Sequence, residues 1–177
     1  MTTLTAEIPS RTSSPALDFE ALYRAARDDV FAYVATLLRD RAAAEDVTAA
    51  AFERAYRKQR TFKSERGSER AWLFGIARNA ALDELRRRRR RASLETDPED
   101  TAAPSTEDHA ELALRRELVR AAVAGLDGKE RDLIALKFSG GLSNSEIARV
   151  LGMSETNAGT RLHRALTKLR KACNEAS

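Results

Sequence analysis

The sequence predicts an all-α protein made of two small helical domains joined by a flexible acidic linker. Apolar residues recur at three- and four-residue steps through most of the chain, which is the spacing of one helix face. Aromatic residues make up only 6% of the composition while alanine, leucine and arginine are abundant, and this balance favours helices over sheet. A central stretch rich in acids, with two prolines, interrupts the periodicity. A chain of 177 residues is long enough for two such domains.

The N-terminal domain is expected over residues 16–91. Residues 1–15 mix Ser, Thr and Pro without periodicity, which predicts a disordered leader. A first helix is predicted from Phe19 to Leu37, where apolar residues lie at helical spacing. Asp40 is placed to cap a second helix, because a carboxylate there can accept the backbone N–H groups that a helix start leaves free.

A third helix, capped by Ser68, has an unusual polar flank. That flank collects Trp72, Asn79, Asp83, Arg86 and Arg90. Asparagine and aspartate are poor helix-interior residues because their side chains compete for the backbone, so this grouping needs a reason. Melted DNA supplies one, since amide and carboxylate groups can read a base edge while an indole stacks on an unpaired base. The alternative is that Trp72 belongs to the core and that Asn79 and Asp83 tie helices together.

Six consecutive arginines, Arg86 to Arg91, end this helix. Cations are favoured at a helix C-terminus, but six in a row exceed what a helix end requires. Their uniform density predicts contact with nucleic-acid phosphates and a strong dependence on salt. Residues 92–111 then contain seven acids and no Lys or Arg, which predicts a solvated, flexible linker.

The C-terminal domain is expected over residues 112–173 and begins with two helices. Leu114 and Leu118 restart the helical period, and Asp127-Gly128 is expected to end that helix. Residues 133–138 predict a second short, largely apolar helix, which Gly140-Gly141 stop.

A helix-turn-helix pattern follows this glycine pair. Residues 143–146 form a capping box for one helix, Gly152 permits a turn, and Ser154 caps the next helix. The outer face of that next helix carries hydroxyls, an imidazole and cations: Thr156, Thr160, His163, Arg164, Thr167 and Lys171. Such groups can reach base edges in a major groove, whereas the flanking Arg161, Lys168 and Arg170 suit phosphates. The alternative is an ordinary amphipathic hairpin with a solvated outer face.

Several classes of protein are disfavoured by the sequence. It contains no metal-ligand cluster, no phosphate-cradling glycine loop and no nucleophile–base pair in a motif, so we expect no metal, no cofactor and no enzymatic activity. No apolar run reaches the length of a membrane span, and the start lacks the pattern of a signal peptide. The single cysteine, Cys173, cannot form an internal disulfide, and a reducing cytoplasm is the expected location.

Three segments together resemble the extracytoplasmic-function (ECF) group of sigma factors, the small two-domain members of the sigma-70 family of bacterial RNA polymerase. The family's polymerase-binding helix is matched by Ala44-Glu45-Asp46-Val47 through Phe52-Glu53-Arg54-Ala55-Tyr56. Its minus-ten recognition helix is matched by residues 71–79, Ala-Trp-Leu-Phe-Gly-Ile-Ala-Arg-Asn, and on to Arg86. Its minus-thirty-five reader is matched by residues 142–154 and 160–165. The resemblance covers nearly everything except the leader and the linker.

The resemblance implies three binding surfaces. Polymerase-core binding falls on Glu45, Asp46, Ala49, Ala50, Glu53 and Arg54. Recognition of a melted minus-ten element falls on Phe62, Lys63, Trp72, Arg78, Asn79, Asp83, Arg86, Arg87 and Arg90. Recognition of a duplex minus-thirty-five element falls on Thr156, Asn157, Gly159, Thr160, Arg161, His163, Arg164 and Lys168.

Two positions depart from the family pattern. Ala49-Ala50 stand where the family commonly has Gln-Glu, so core binding is expected to depend more on Glu45, Asp46, Glu53 and Arg54 or to be weaker. Gly159 stands where the family usually has Lys or Arg, which removes a long cation from the groove and predicts a different promoter preference.

The same resemblance implies partners and a location. The partners are the RNA polymerase core, through a coiled coil of its largest subunit, promoter DNA as duplex and as melted non-template strand, and a regulatory anti-sigma factor. The acidic linker is expected to thread toward the polymerase RNA-exit path. The protein is expected in the cytoplasm at the nucleoid, or tethered there through a membrane-bound anti-sigma factor.

Two other functions stay open at this point. A conventional helix-turn-helix regulator would bind duplex promoter DNA without polymerase and would make no contact with a melted strand. An arginine-rich RNA-binding adaptor would depend on Arg86 to Arg91 and would not need residues 142–171. The flank formed by Trp72, Asn79 and Asp83 separates a sigma factor from both, because neither alternative uses it.

Overall fold

The computed structural model describes residues 17–93 and 110–175, and this part of the chain is all-α, as the sequence predicts. The N-terminal module contains α1 (Phe19–Leu38), α2 (Arg41–Lys58) and α3 (Glu69–Ala92), with short 3₁₀ turns at Gln59–Thr61 and Ser64–Arg66 before α3. The C-terminal module contains α4 (Ala110–Ala124), α5 (Gly128–Phe138), α6 (Asn144–Leu151) and α7 (Glu155–Glu175). The leader predicted over residues 1–15 and most of the linker predicted over residues 92–111 lie outside the described residues.

The helices of the N-terminal module begin at capping side chains and enclose one apolar core. Asp40 and Ser68 each accept the backbone N–H three residues on, at 3.0 and 3.1 Å, which confirms both predicted caps. The core takes the inward side chains of all three helices, and its largest fully buried members are Val30, Tyr33, Val34, Leu73 and Phe74. This core holds α3 in place and leaves one of its sides exposed.

The first helix of the C-terminal module ends before the residues expected to end it. Helix α4 stops at Ala124, and Asp127 instead starts α5. The Asp127 carboxylate accepts the backbone N–H groups of Lys129 and Glu130 at 2.8 Å each, while the Glu130 side chain accepts the N–H of Asp127. The same Asp-Gly pair therefore serves as a helix start, because its side chain finds free N–H donors ahead of it.

Helices α6 and α7 form the predicted helix-turn-helix. The Ser143 and Glu146 side chains make the capping box that starts α6. Gly152 ends α6 in the left-handed region at φ 66°, where other residues are strained. Gly140 is required for a different reason, because a Cβ there would lie 2.5 Å from the carbonyl oxygen of Leu136. The recognition helix of the pattern is α7, which packs on α4, α5 and α6.

The two modules pack directly against each other. Helices α1 and α3 contact α5 and α6, and the buried residues of both modules belong to one apolar cluster. Among the described helices, none combines the length and the apolar character needed to cross a membrane.

Candidate nucleic-acid interface

The loop before α3 and one side of α3 form a continuous surface, which we call the α3 face. Phe62 packs edge-on against Trp72, with ring centroids 5.6 Å apart and planes at 61°. Lys63 beside it is exposed. The face continues along the helix with exposed residues near one-turn spacing: Asn79, Asp83, Arg86 and Arg90. An aromatic wall, an amide and cations thus lie in one row.

Some residues of this face have a structural role, whereas others are available to bind DNA. Trp72 is half-buried and packs against the core, so it contributes to both stability and surface. Asp83 ties helices together, since it accepts from Arg54 of α2 at 3.5 Å and from Arg86 at 3.1 Å. Asn79 is exposed and has no hydrogen-bond partner in the described part of the chain. Its amide is therefore free to bind a ligand.

The arginine run is not a uniform cationic surface. Arg88 is turned inward, where it donates to Glu84 at 3.0 Å and to Asp40 at 2.7 Å. Arg87 also pairs with Glu84, which is almost fully buried. Helical geometry explains the difference, because a residue four positions after Glu84 projects from the same side, toward the α1–α2 junction. Within the arginine run, Arg89, Arg90 and Arg91 are exposed and have no ion pair with any described residue.

Arg78 lies at the module interface and away from the α3 face. Its Nε donates to Asp132 of α5 at 2.7 Å, and the Tyr33 hydroxyl of α1 donates to the other oxygen of the same carboxylate, also at 2.7 Å. The Asp132 side chain is only 6% exposed. Burial, together with the Asp132 charge, raises the pKa of the Tyr33 phenol well above its ordinary value, so this hydroxyl remains a donor.

Further polar contacts surround this buried group. The Arg70 guanidinium donates to Asp29 of α1 and to the carbonyl oxygen of Gly140 in the other module, and it also lies over the Phe74 ring. The Ser68 hydroxyl donates to Glu146, which lowers the pKa of that carboxyl below its usual range. The modules are therefore held by directional bonds as well as by apolar contact.

The outer face of α7 presents the side chains that the sequence placed there. Thr156, Thr160, His163 and Arg164 are all exposed, and the Thr160 hydroxyl donates to the Thr156 carbonyl at 2.9 Å. The threonine oxygens keep acceptor capacity on this face. The hydrophobic side of α7 buries Ala158, Leu162 and Ala165, as the amphipathic pattern predicts.

Three members of the predicted minus-thirty-five set also have partners within the module. Arg161 donates to the Asn157 side chain at 3.1 Å. Lys168 pairs with Glu130 at the start of α5, and this contact raises the pKa of its ammonium group. A Cβ at Gly159 would lie 3.6 Å from the Asn144 amide nitrogen, which is ordinary contact. Position 159 thus adjoins the start of α6.

The residues assigned to polymerase binding lie along α2. Glu45 and Glu53 are exposed and pair with arginines on their own helix, while Asp46 and Ala49 are exposed and Ala50 is half-buried. Between α1 and α2 runs a groove lined by Tyr23, Phe31, Arg41, Glu45, Thr48, Ala49 and Phe52, among others. We call it the α1–α2 groove.

Thr48 and Asp132 were not identified from the sequence. Thr48 lines the α1–α2 groove and is almost fully buried, and its hydroxyl has no hydrogen-bond partner among the described residues. A threonine within an alanine-rich apolar stripe was the available signal. For Asp132 the sequence offered no signal, because its partner Tyr33 lies 99 residues away in the chain. Among the described residues there is no grouping of His, Cys, Asp and Glu suited to holding a metal ion.

These features define a two-module helical protein in which each module exposes a surface suited to nucleic acid. Models of sigma-70 region 2 and sigma-70 region 4 match residues 22–91 and 116–169. The chain belongs to the sigma-70 family, as a member of its extracytoplasmic-function (ECF) group.

Individual relatives agree with this assignment. The ECF sigma factor SigL of Mycobacterium tuberculosis is 35% identical over 171 residues, covering 94% of this chain and 97% of the relative. The ECF sigma factor SigX of Bacillus subtilis is 33% identical over 161 residues, covering 86% of this chain and 82% of the relative. The fold is similar to that of the sigma factor RpoE from Bartonella quintana, which was solved in complex with the anti-sigma factor NepR. The TM-score is 0.75 at 22% identity, and the match covers 89% of this chain and 97% of RpoE.

Proposed function

We propose that this protein binds the RNA polymerase core, directs it to specific promoters and helps to melt the minus-ten element, without catalysing a reaction itself. The α3 face carries the proposal, because an aromatic pair beside a free amide and unpaired cations suits an unpaired strand. A regulator of duplex DNA and an RNA-binding adaptor leave this face without a role. Family membership favours the sigma factor over both.

Each module has its own part in this function. Helix α2 and the α1–α2 groove would bind the coiled coil of the largest polymerase subunit. Phe62 and Lys63 would capture a flipped base, while Trp72 and Asn79 hold the melted strand. In α7, Thr160, His163 and Arg164 would read the upstream duplex. Arg161 would contact phosphate, and Lys168 would do so only if its ion pair with Glu130 opens.

The packed arrangement of the modules has to open for this function. Elements at minus ten and minus thirty-five lie about 25 base pairs apart, which is roughly 85 Å of duplex. A compact chain of 177 residues has a radius of gyration of about 16 Å, hence a width of about 40 Å. The described arrangement therefore cannot span both elements. It is also one that a partner can stabilise, and we propose an anti-sigma factor for that role.

The location follows from the same proposal. A subunit that works on promoter DNA acts in the cytoplasm at the nucleoid, and a membrane-bound anti-sigma factor would tether it there. The acidic linker would thread toward the RNA-exit path, where its charge imitates that of nucleic acid.

In vitro transcription tests the proposed function. Core polymerase, the protein and a genomic fragment library are combined, and the transcript starts are mapped. Specific starts should appear only with the protein and should weaken about fivefold or more with Asn79→Ala, which removes a free amide without disturbing the core. Asn174→Ala, at an exposed asparagine near the end of α7, is the matched control. Sequence-specific duplex binding with no protein-dependent initiation would instead establish the conventional regulator.

Substitution of Gly159 should change promoter choice. Gly159→Lys introduces the cation that the family usually has, so we expect altered or relaxed selection of the upstream element in a promoter library. Gly159→Ala should only raise the free energy of unfolding, by about 1 kcal/mol, because alanine favours the helix and its Cβ makes ordinary contact. Unchanged preference with Gly159→Lys would refute a role for this position in promoter choice.

A further inference from the structure

Gly75 lies in the middle of α3, where no contact and no backbone angle in the described chain requires a glycine. Glycine destabilises a helix interior relative to alanine, since it loses more backbone freedom on folding. A Cβ at Gly75 would meet no atom within 4 Å. The backbone there is helical, so no left-handed conformation requires glycine. Neither packing nor backbone geometry within the described chain explains the residue.

Other glycines provide the contrast. Gly140 cannot carry a Cβ because Leu136 is too close, and Gly152 has a positive φ. Among the described residues, the glycines in helix interiors are Gly75 in α3 and Gly159 in α7, since Gly128 is the first residue of α5. These two helices are the ones proposed to read DNA. Gly75 is the more open of the two, since a Cβ at Gly159 would already touch Asn144.

The position of Gly75 on the helix indicates what the open space is for. It lies three residues after Trp72 and four before Asn79, so it occupies the gap between them on the α3 face. The Phe62–Trp72 pair stands at one end of this gap and the free Asn79 amide at the other. A missing side chain between an aromatic wall and a polar group lets a flat ligand approach the helix backbone closely.

We propose that a nucleotide of the melted strand packs directly on the α3 backbone at Gly75, between Trp72 and Asn79, and that residue 75 thereby sets the depth at which the strand is bound. This inference rests on the proposed function and extends it to a residue with no side chain of its own. Any side chain at position 75 other than proline then stabilises the helix and obstructs the strand. Stability and strand binding should change in opposite directions.

Gly75→Ala tests the proposal with holoenzyme, assembled from core polymerase and the full chain. The probe is a promoter mapped by the transcription experiment, used as a synthetic template with the minus-ten region held unpaired. We expect the Tm of the free protein to rise by about 2–4 °C. Affinity for the unpaired template should fall about tenfold, and further with Gly75→Leu, because overpacking displaces the strand. Gly128→Ala is the matched control, since its Cβ also meets nothing within 4 Å and lies at the start of α5.

The outcomes separate this inference from the proposed function. A rise in Tm with loss of template affinity, and no such loss for Gly128→Ala, supports it. Unchanged or tighter binding by Gly75→Ala, while Asn79→Ala weakens binding, overturns the inference and leaves the sigma-factor function standing. A wild-type protein that starts no transcript with core polymerase overturns both.

Discussion

Replacement of Asp132 with alanine should separate the two modules. Asp132 is buried and accepts from Tyr33 and Arg78 of the other module, at 2.7 Å each. In the packed arrangement its loss leaves both donors without a partner, which for a buried ion pair costs about 3–5 kcal/mol. That cost favours the separated state by about two to four orders of magnitude. Separation lets water hydrate both groups, so the interface should open rather than persist under strain.

Small-angle scattering measures this effect directly. Wild-type protein should give a radius of gyration of about 16 Å, as expected for a compact chain of this length, and Asp132→Ala should give a clearly larger value. Tyr33→Phe removes one of the two bonds and should weaken the interface by about 1 kcal/mol. Asp28→Ala is the control, because Asp28 is exposed and its ion pair in the described part of the chain is with the neighbouring Arg27. An unchanged radius for Asp132→Ala would show that the buried carboxylate does not hold the modules together.

Replacement of Arg89, Arg90 and Arg91 together with glutamine should greatly reduce the salt dependence of promoter binding. These exposed cations lack ion pairs in the described chain, so each can release a counterion from a phosphate. Loss of three such contacts should reduce the slope of log affinity against log salt by about 2 to 3. Over a fourfold rise in salt, the wild type should then lose roughly 16–64 times more affinity than the variant.

A salt titration of holoenzyme on one promoter fragment checks this prediction. Arg88→Gln is the matched control, because Arg88 is engaged with Glu84 and Asp40 inside the module. It should lower the free energy of unfolding and leave the slope nearly unchanged. Equal slopes for the wild type and the triple variant would show that these arginines do not contact phosphate.

The local features of this chain were predictable because they depend on near neighbours in the sequence. Apolar spacing of three and four residues predicted the helices, and the side chains of Asp40, Ser68 and Ser143 predicted three of the helix starts. The Asp127-Gly128 pair was misjudged as a helix end, since the same two residues can stop one helix or start the next. Which role they take depends on where the N–H donors lie.

The pairing of the arginines could not be predicted from their near neighbours in the sequence. The sequence presents Arg78 as part of a DNA-binding helix and Arg86 to Arg91 as equal cations. The structure pairs Arg78 with Asp132 and Arg88 with Glu84 and Asp40, whereas Arg89 to Arg91 have no ion pair with any described residue. A side chain's partner depends on which helices surround it, and helical periodicity alone does not supply that.

Periodicity, caps and short motifs in the sequence are enough to predict the helical class, the helix-turn-helix, the family and the polar flank of α3. The packing of the modules, the link that Asp132 makes between Tyr33 and Arg78, and the different states of Asn79 and Asp83 appear only in the folded molecule. Asp83 is paired, whereas Asn79 has no hydrogen-bond partner among the described residues. The physical reason is distance along the chain. Asp132 is 54 positions from Arg78 and 99 positions from Tyr33, so these contacts form only when folded helices meet. No local sequence pattern encodes which helices will meet.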